Sequence, residues 1–469
     1  MDKSQLTRQG VAQAVNRLRV TFNSGKTKTL KWRKEQLCAL RLLLDEQEEA
    51  LIQALKQDFS KATAESLITE IAFVKGEIRY ALRKLKKWLK PKHPIMPLSL
   101  QPAAGKLVYE PLGVVLIISP WNYPVMLLLS PLVGALAAGN AVVLKPSEVA
   151  PAVADCLAHL IPRYLDKEAI EVLQGGPQET EYILDVKFDY IFYTGNEHVA
   201  RIVSAAAAKH LTPVTLELGG KSPAWVGDKV PLKQVADRLV WAKFINAGQT
   251  CVAPDYILAT PKVADQLVPY LQDSIVRFYG TEPKKSSDYC RIIDSKHVKR
   301  LSELLDDLSP GQIMVGGEID AADNYIAPTI IDHVNLTHKI MGSEIFGPLL
   351  PIVRVKDFDA ALAIIQSRDK PLVLYAFTKD RREKERLVRE TSSGALGLNI
   401  AVAHLSASNL PFGGVGLSGQ GHYHGHYSFT TFSHLKPILS KPLRPDTMKF
   451  IYAPYGVVIK LIAKWLIGR

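Results

Sequence analysis

Apolar positions along this chain recur first with a helical period and then break into short runs. Over residues 2 to 90 the series Leu37, Leu40, Leu43 and Leu44 continues into Leu51, Ile52 and Leu55, with acids and bases between them. That spacing puts one apolar stripe on a helix and leaves its other faces to solvent. Pro91, Pro94 and Pro97 close the helical region, since proline lacks the backbone donor that a helix interior needs. Leu98–Glu110 follows, carries Gly105 near its middle and reads as a hairpin.

From Gly113 the pattern predicts buried strands at Val114–Ser119, Ala141–Lys145, Glu171–Leu173 and Tyr190–Tyr193, alternating with helices at Val125–Gly139, Ala150–Ile161 and His198–Leu211. After Gly220 the alternation starts again, with helices at Leu232–Ala247 and Val263–Gly280 and strand sequence at Tyr256–Ala259, Tyr325–Ile331, Pro351–Arg354 and Val373–Phe377. Strands separated by helices build parallel sheets covered on both faces. The expected fold class is α/β, with two doubly wound parallel sheets. Past Phe429 the sequence turns strand-like again, and a last apolar helix covers Val457–Ile467.

A chain of 469 residues is too long for one compact core. Pro111 to Leu144 holds no charged residue and is long enough to suggest a membrane span. Pro120, Pro124 and Pro131 interrupt it, and Asn122 and Asn140 lie inside it, so it divides into buried strands and a packed helix. The cysteines Cys38, Cys156, Cys251 and Cys290 form no CxxC pair and no ligand spacing. Neither a disulfide framework nor a zinc site is expected, and a reducing, cytoplasmic compartment is. Residues 1–30 are polar and lack the apolar centre of a secretory signal.

The net charge of +12 is unevenly spread. Lys441, Arg444, Lys449, Lys460, Lys464 and Arg469 stand against Asp446 in the tail, and Arg83, Lys84, Lys86, Lys87, Lys90 and Lys92 close a helical stretch. A basic helix end suits the helix dipole. No nucleic-acid motif accompanies either cluster, so nucleic acid is not an expected partner.

Sites in doubly wound sheets form beyond the carboxyl ends of strands. There the sequence places Pro120–Trp121–Asn122, Lys145–Pro146–Ser147–Glu148 and Thr194–Gly195–Asn196. Chemistry is also concentrated between Leu216 and Pro254. Glu217 interrupts the strand-like run Val214–Leu218 just before Gly219–Gly220, an unusual place for a carboxylate outside a cleft. Cys251 lies in Gly248–Gln249–Thr250–Cys251–Val252–Ala253–Pro254, a loop setting rather than a helix face. A base and a nucleophile are the minimum for covalent catalysis. Taken singly, each has a plainer reading: Cys251 as a small buried hydrophobe, Glu217 as a strand-end carboxylate in an ion pair, Asn122 as a turn residue between prolines.

The motifs together say more. Pro120–Trp121–Asn122–Tyr123–Pro124, Lys145–Pro146–Ser147–Glu148, Tyr193–Thr194–Gly195, Glu217–Leu218–Gly219–Gly220–Lys221, Gly248–Gln249–Thr250–Cys251, Glu344–Ile345–Phe346–Gly347–Pro348 and Pro411–Phe412–Gly413–Gly414 stand in the order found in NAD(P)-dependent aldehyde dehydrogenases. The chain resembles that family over nearly its whole length. Its short N-terminus, the Val252–Ala253–Pro254–Asp255–Tyr256 sequel and the Ser428–Phe429 region look like the class 3 branch, which includes fatty and aromatic aldehyde dehydrogenases.

The resemblance implies a coenzyme-binding domain of residues 1–95 and 112–217, a catalytic domain of 218–424, oligomerisation strands in 96–111 and 425–440, and a basic tail, 441–469, ending in a gatekeeper or interfacial helix. Cys251 as thiolate attacks the aldehyde, thiolate being the attacking form and responsive to nearby positive charge. Asn122, with the Cys251 backbone N–H, stabilises the oxyanion. Glu217, raised by partial burial, activates the deacylating water. No GxGxxG follows the first strand. The family's coenzyme contacts instead fall on Trp121, Lys145, Ser147, Glu148, Gly195, Asn196, Leu218, Glu344 and Phe346, with Lys145 and Glu148 at the adenosine ribose. Ala200 stands where many relatives have a second glycine. Glu148 can accept from a ribose 2′-OH and repel a 2′-phosphate, which favours NAD, with NADP the alternative.

His422, His424 and His426 alternate without an acid or cysteine beside them, and read as a loop approaching the final strand rather than a metal site. On the last helix Lys460 and Lys464 share one face; it is too short to span a bilayer. It either caps a substrate funnel or lies on anionic lipid at the membrane periphery, and both readings favour a lipophilic aldehyde. A homodimer is implied by resemblance. Two alternatives remain open at this stage, a CoA-acylating dehydrogenase and a catalytically silent scaffold with the same fold.

Overall fold

The computed structural model describes residues 6–467. Val114–Ile118 and Ala141–Lys145 are neighbouring parallel strands, buried throughout. Successive residues of a strand face opposite sides. Val114, Leu116, Ile118 and Val143 accordingly join Val11, Val15, Leu18 and Phe22 of helix Arg8–Asn23. Val115, Ile117, Val142 and Leu144 join the leucines of helices Leu30–Glu46 and Met126–Ala138 on the other side. The charge-free stretch is therefore the centre of a covered sheet. Among the described residues no helix is long and apolar enough to cross a membrane.

This six-stranded sheet runs Gly419–Gln420, Val214–Glu217, Tyr190–Thr194, Val114–Ile118, Ala141–Lys145, Ile170–Val172, and all but the first strand are parallel. Chain order reverses at Val114–Ile118, since the next two strands add on one side and the later ones on the other. The crevice beyond the ends of Val114–Ile118 and Tyr190–Thr194 is thus a topological switch point, the usual ligand position in such sheets. A seven-stranded sheet follows in the order Ala395–Leu398, Val373–Phe377, Pro223–Val226, Tyr256–Ala259, Leu349–Arg354, Thr329–Ile331, Ile313–Val315, antiparallel only at its last member.

Four expectations are corrected. Leu98–Glu110 is not a hairpin. Ala104–Pro111 is one strand, paired antiparallel with Ser433–Ser440 from Ala104↔Ser440 to Pro111↔Ser433. Gly105 lies inside the strand, where a Cβ would overlap the Met96 side chain. The helix expected to reach Ala247 ends at Phe244, because Asn246 and Ala247 take left-handed φ of 54° and 51°. Tyr325–Ile331 divides at Pro328 into Tyr325–Ile326, paired with Ile319–Asp320, and Thr329–Ile331 in the large sheet. Gly425–Thr431, grouped with the strands, is a helix entered through His424 at φ 81°.

Candidate active site

Glu217 ends its strand in register with Thr194 on one side and Gly419 on the other. It is 2% exposed, and neither carboxylate oxygen has a hydrogen-bond partner among the described residues. Burial alone pushes its pKa well above the usual carboxylate range. An ion-paired strand end is therefore excluded, and burial is complete where partial burial was expected.

Cys251 follows a tight turn that Gly248 makes possible, with φ +76° and no room for a Cβ against the Gly347 carbonyl. The thiol is pushed up to about 12, first by burial, then by the negative charges of Glu344 and Glu217, against the backbone N–H groups of Cys251 and Val252. Burial and the charges of Glu344 and Glu217 thus hold the Cys251 proton on sulfur more tightly than in a free cysteine.

Asn122 is 2% exposed and donates from Nδ2 to the Gln249 carbonyl at 3.0 Å. Asn246 Nδ2 bridges the Asn122 carbonyl at 2.8 Å and the Gln249 carbonyl at 3.2 Å. Gln249 Nε2 donates to the Asn246 and Arg291 carbonyls at 3.0 and 3.1 Å. Tyr123 OH and Thr250 Oγ1 lie 2.7 Å apart. The Asn122 loop and the Cys251 loop are therefore one hydrogen-bonded unit. Asn246 was missed as a site residue because the sequence put it inside a helix; Gln249 stood within a quoted motif without a role.

Glu344 lies over Gly219, where a Cβ would overlap its carboxyl. Burial, then Asp255, pushes it up to about 8, opposed by the Gly220 N–H, Lys221 and Lys243. Its loop is pinned from beneath. Lys221 Nζ donates to Asp255 at 2.6 Å and to the Ile340 and Ser343 carbonyls at 2.7 and 2.9 Å, and Ile345 N–H donates to Asp255 at 3.1 Å. Phe346 takes φ 49°, and its ring stands edge-on to Trp121 at 5.4 Å. Such backbone strain is held only where surroundings fix it.

Around the switch point the remaining residues fit a dinucleotide. Ser119 Oγ and Thr194 Oγ1, at the ends of the two flanking strands, are buried without partners among the described residues. Gly195 has room for no Cβ beneath the Tyr193 hydroxyl. It precedes helix Glu197–Ala208, whose N-terminus Asn196 caps through Val199 N–H at 2.9 Å, and a helix N-terminus favours phosphate. Lys145 Nζ contacts Glu148 at 2.5 Å. Ser147 Oγ accepts from Val149 N–H at 3.3 Å, and Leu218 N–H donates to the Ser418 carbonyl at 3.1 Å. A separate cavity of about 870 Å³ lies along the open edge of Ile170–Val172, lined by Arg17, His159 and Glu171. None of the groups that bear on Cys251 reach it, so it is not the chemical site.

His424 is 2% exposed and stacked on Phe412 at 5.3 Å, while His426 stands edge-on to Trp88 at 5.4 Å. The alternating histidines are aromatic packing.

Residues 2–438 match the model of the Aldehyde dehydrogenase family. The chain is 49% identical to aldehyde dehydrogenase family 3 member B1 of Bos taurus, across 94% of this chain and 93% of the relative. It is 45% identical to a dimeric NADP-preferring aldehyde dehydrogenase of Canis lupus familiaris, across 95% and 98%. A solved structure described as the substrate-bound state of Staphylococcus aureus AldH superposes with TM-score 0.94 at 42% identity, covering 97% of this chain and 99% of that one. Together with the converging carboxylate and thiol, these matches show that the chain belongs to the aldehyde dehydrogenase family, in its class 3 branch of NAD(P)-dependent enzymes.

Proposed function

We propose that the protein oxidises medium- and long-chain aliphatic aldehydes, and aromatic ones, to carboxylic acids through a covalent adduct on Cys251. The observation that carries this is Glu217, a buried carboxyl without hydrogen-bond partners among the described residues, whose charge bears directly on the Cys251 thiol. An unsatisfied buried acid is costly to a fold, and such groups concentrate at functional sites.

Cys251 attacks as the thiolate, its proton passing to solvent, and Sγ bonds to the carbonyl carbon. The carbonyl oxygen takes the electron pair. The second Nδ2 hydrogen of Asn122, the first being held by Gln249, and the Cys251 N–H donate to it, each worth roughly 3–4 kcal/mol. NAD(P)+ held by the residues named below would supply the hydride acceptor, and loss of that hydride would leave the acyl group on Cys251 as a thioester. Glu217 then takes a proton from a water; the water oxygen attacks the thioester carbon, the C–S bond breaks, and Glu217 returns its proton to the departing sulfur, releasing the acid and the Cys251 thiol.

Trp121, Lys145, Ser147, Glu148, Gly195, Asn196, Leu218, Glu344 and Phe346 would hold the coenzyme. The Lys145–Glu148 pair favours a free ribose 2′-OH, with NADP use left to measurement. The division into units at 1–95 with 112–217, at 218–424 and at the Ala104–Pro111/Ser433–Ser440 ribbon remains part of this reading, as does a homodimer through the ribbon. The lipophilic substrate rests on the final helix, where Val457 and Leu461 are exposed beside Lys460. That helix caps the funnel or touches membrane from a cytoplasmic enzyme. Cys251→Ala should abolish NAD-dependent oxidation of an alkanal, and retained oxidation overturns the reading. A steady-state screen of short to long alkanals and cinnamyl-type aldehydes, with both coenzymes, fixes the specificity.

A further inference from the structure

Outside the site a second set of charged groups is buried. Between Thr63–Ser66 and Ala72–Trp88 the chain makes one π-helical turn, Leu67–Ile71, carrying Glu70. Such turns occur mostly as single insertions, often next to function. Glu70 and Lys61 are both fully buried, 2.8 Å apart. The second Glu70 oxygen accepts from the backbone N–H groups of Val125 and Met126 at 2.9 and 3.0 Å. It thereby caps helix Met126–Ala138 just beyond Asn122. Lys61 Nζ lies 4.5 Å from the centre of the Tyr123 ring and 5.1 Å from that of Phe59. Tyr123 is thus held on its face by Lys61 and at its hydroxyl by Thr250, the residue before Cys251. Glu65 completes the set by accepting from Asn246 N–H at 2.9 Å and from Cys290 Sγ at 3.4 Å, and Asn246 is the bridge between Asn122 and Gln249.

Well-packed apolar residues usually stabilise a core as well as a buried ion pair does. What they cannot do is accept backbone N–H groups beside both the Asn122 loop and the Cys251 loop, as Glu70 and Glu65 do, while a cation sits on the Tyr123 ring. We propose that Lys61 and Glu70, with Glu65, are positioning residues that hold Asn122 in register with Cys251 for attack on the aldehyde. This rests on the roles given above to Asn122 and Cys251.

The test is a double-mutant cycle read on the first-turnover burst of NADH with saturating alkanal. Lys61→Met keeps the volume and removes the charge. It should slow the burst about 10- to 100-fold, the scale of a misplaced catalytic group, with KM for NAD+ unchanged and most of the rate restored by Lys61→Arg. In an Asn122→Ala background the Lys61→Met loss should vanish, because there is no oxyanion donor left to misplace. A burst within twofold of the parent, or a Lys61→Met loss undiminished in the Asn122→Ala background, overturns the positioning role. Should Lys61→Met not fold, Glu70→Gln, which keeps a carbonyl acceptor for Val125 and Met126, goes through the same cycle and is judged by the same outcomes. An unchanged burst in Asn122→Ala alone overturns the oxyanion reading itself, a separate and distinguishable result.

Discussion

Glu70 and Glu217 are both buried, at 0% and 2% exposed, and the protein treats them oppositely. Glu70 has Lys61 on one oxygen and two backbone N–H groups on the other. Glu217, at the mouth of the six-stranded sheet, has none among the described residues. The first is a saturated joint, and the second is kept unsatisfied at a cost. A buried polar group without partners loses its hydration and gets nothing back, a cost that the chemical role proposed for Glu217 would explain.

Changing the two acids should therefore break different things. Glu217→Gln should lower steady-state turnover by about 10²–10⁴, the range for a lost general base, while the fold gains. Above the unfolded pKa near 4.5 the unfolded chain sheds a proton that buried Glu217 keeps, so its stabilisation falls as pH rises towards its raised folded value. Glu217→Gln removes that loss, and its thermal midpoint at pH 8 should exceed the parent's; a lower midpoint would break the contrast. Glu70→Ala should do the reverse first, costing about 3–5 kcal/mol in denaturant unfolding by stranding the Lys61 charge.

A smaller effect sharpens the comparison through the thiol. In the coenzyme-free enzyme, alkylation of Cys251 by iodoacetamide should keep rising through pH 10, because burial and two acids push the thiol up to about 12. Glu217→Gln should move that rise to lower pH, whereas a plateau near neutrality would show a cation at work. Least of all, Lys436→Ala removes an exposed 2.7 Å pair with Glu110 on the ribbon. It should cost about 0–1 kcal/mol and leave turnover unchanged.

What was legible in the sequence follows from what is local. Val114–Ile118 and Ala141–Lys145 are buried on both faces, so every position is apolar and the strands show at once. Glu217 was visible as a carboxylate out of place in such a strand. The ribbon was not, because its partner strand begins at Ser433 and a local pattern can only propose a neighbour. Asn246 was hidden by a helical period that continues past the real end of its helix. Lys61, Glu65 and Glu70 look like solvent-face charges of an amphipathic helix, and only the π turn and the packing of Tyr123 turn them inward. The thiol's surroundings were hidden for a related reason: the charges bearing on Cys251 come from Glu217 and Glu344, far apart in sequence, and both are negative.

The central claim is that one sulfur and one buried acid divide the reaction between them, and trapping the acyl-enzyme tests it most directly. Glu217→Gln, mixed with a long-chain alkanal and NAD+ and digested under acid, should yield the Cys251 peptide carrying the mass of the acyl group, about one per active chain, and the parent enzyme far less. An unmodified Cys251 peptide, or the acyl mass on any other residue, would contradict it.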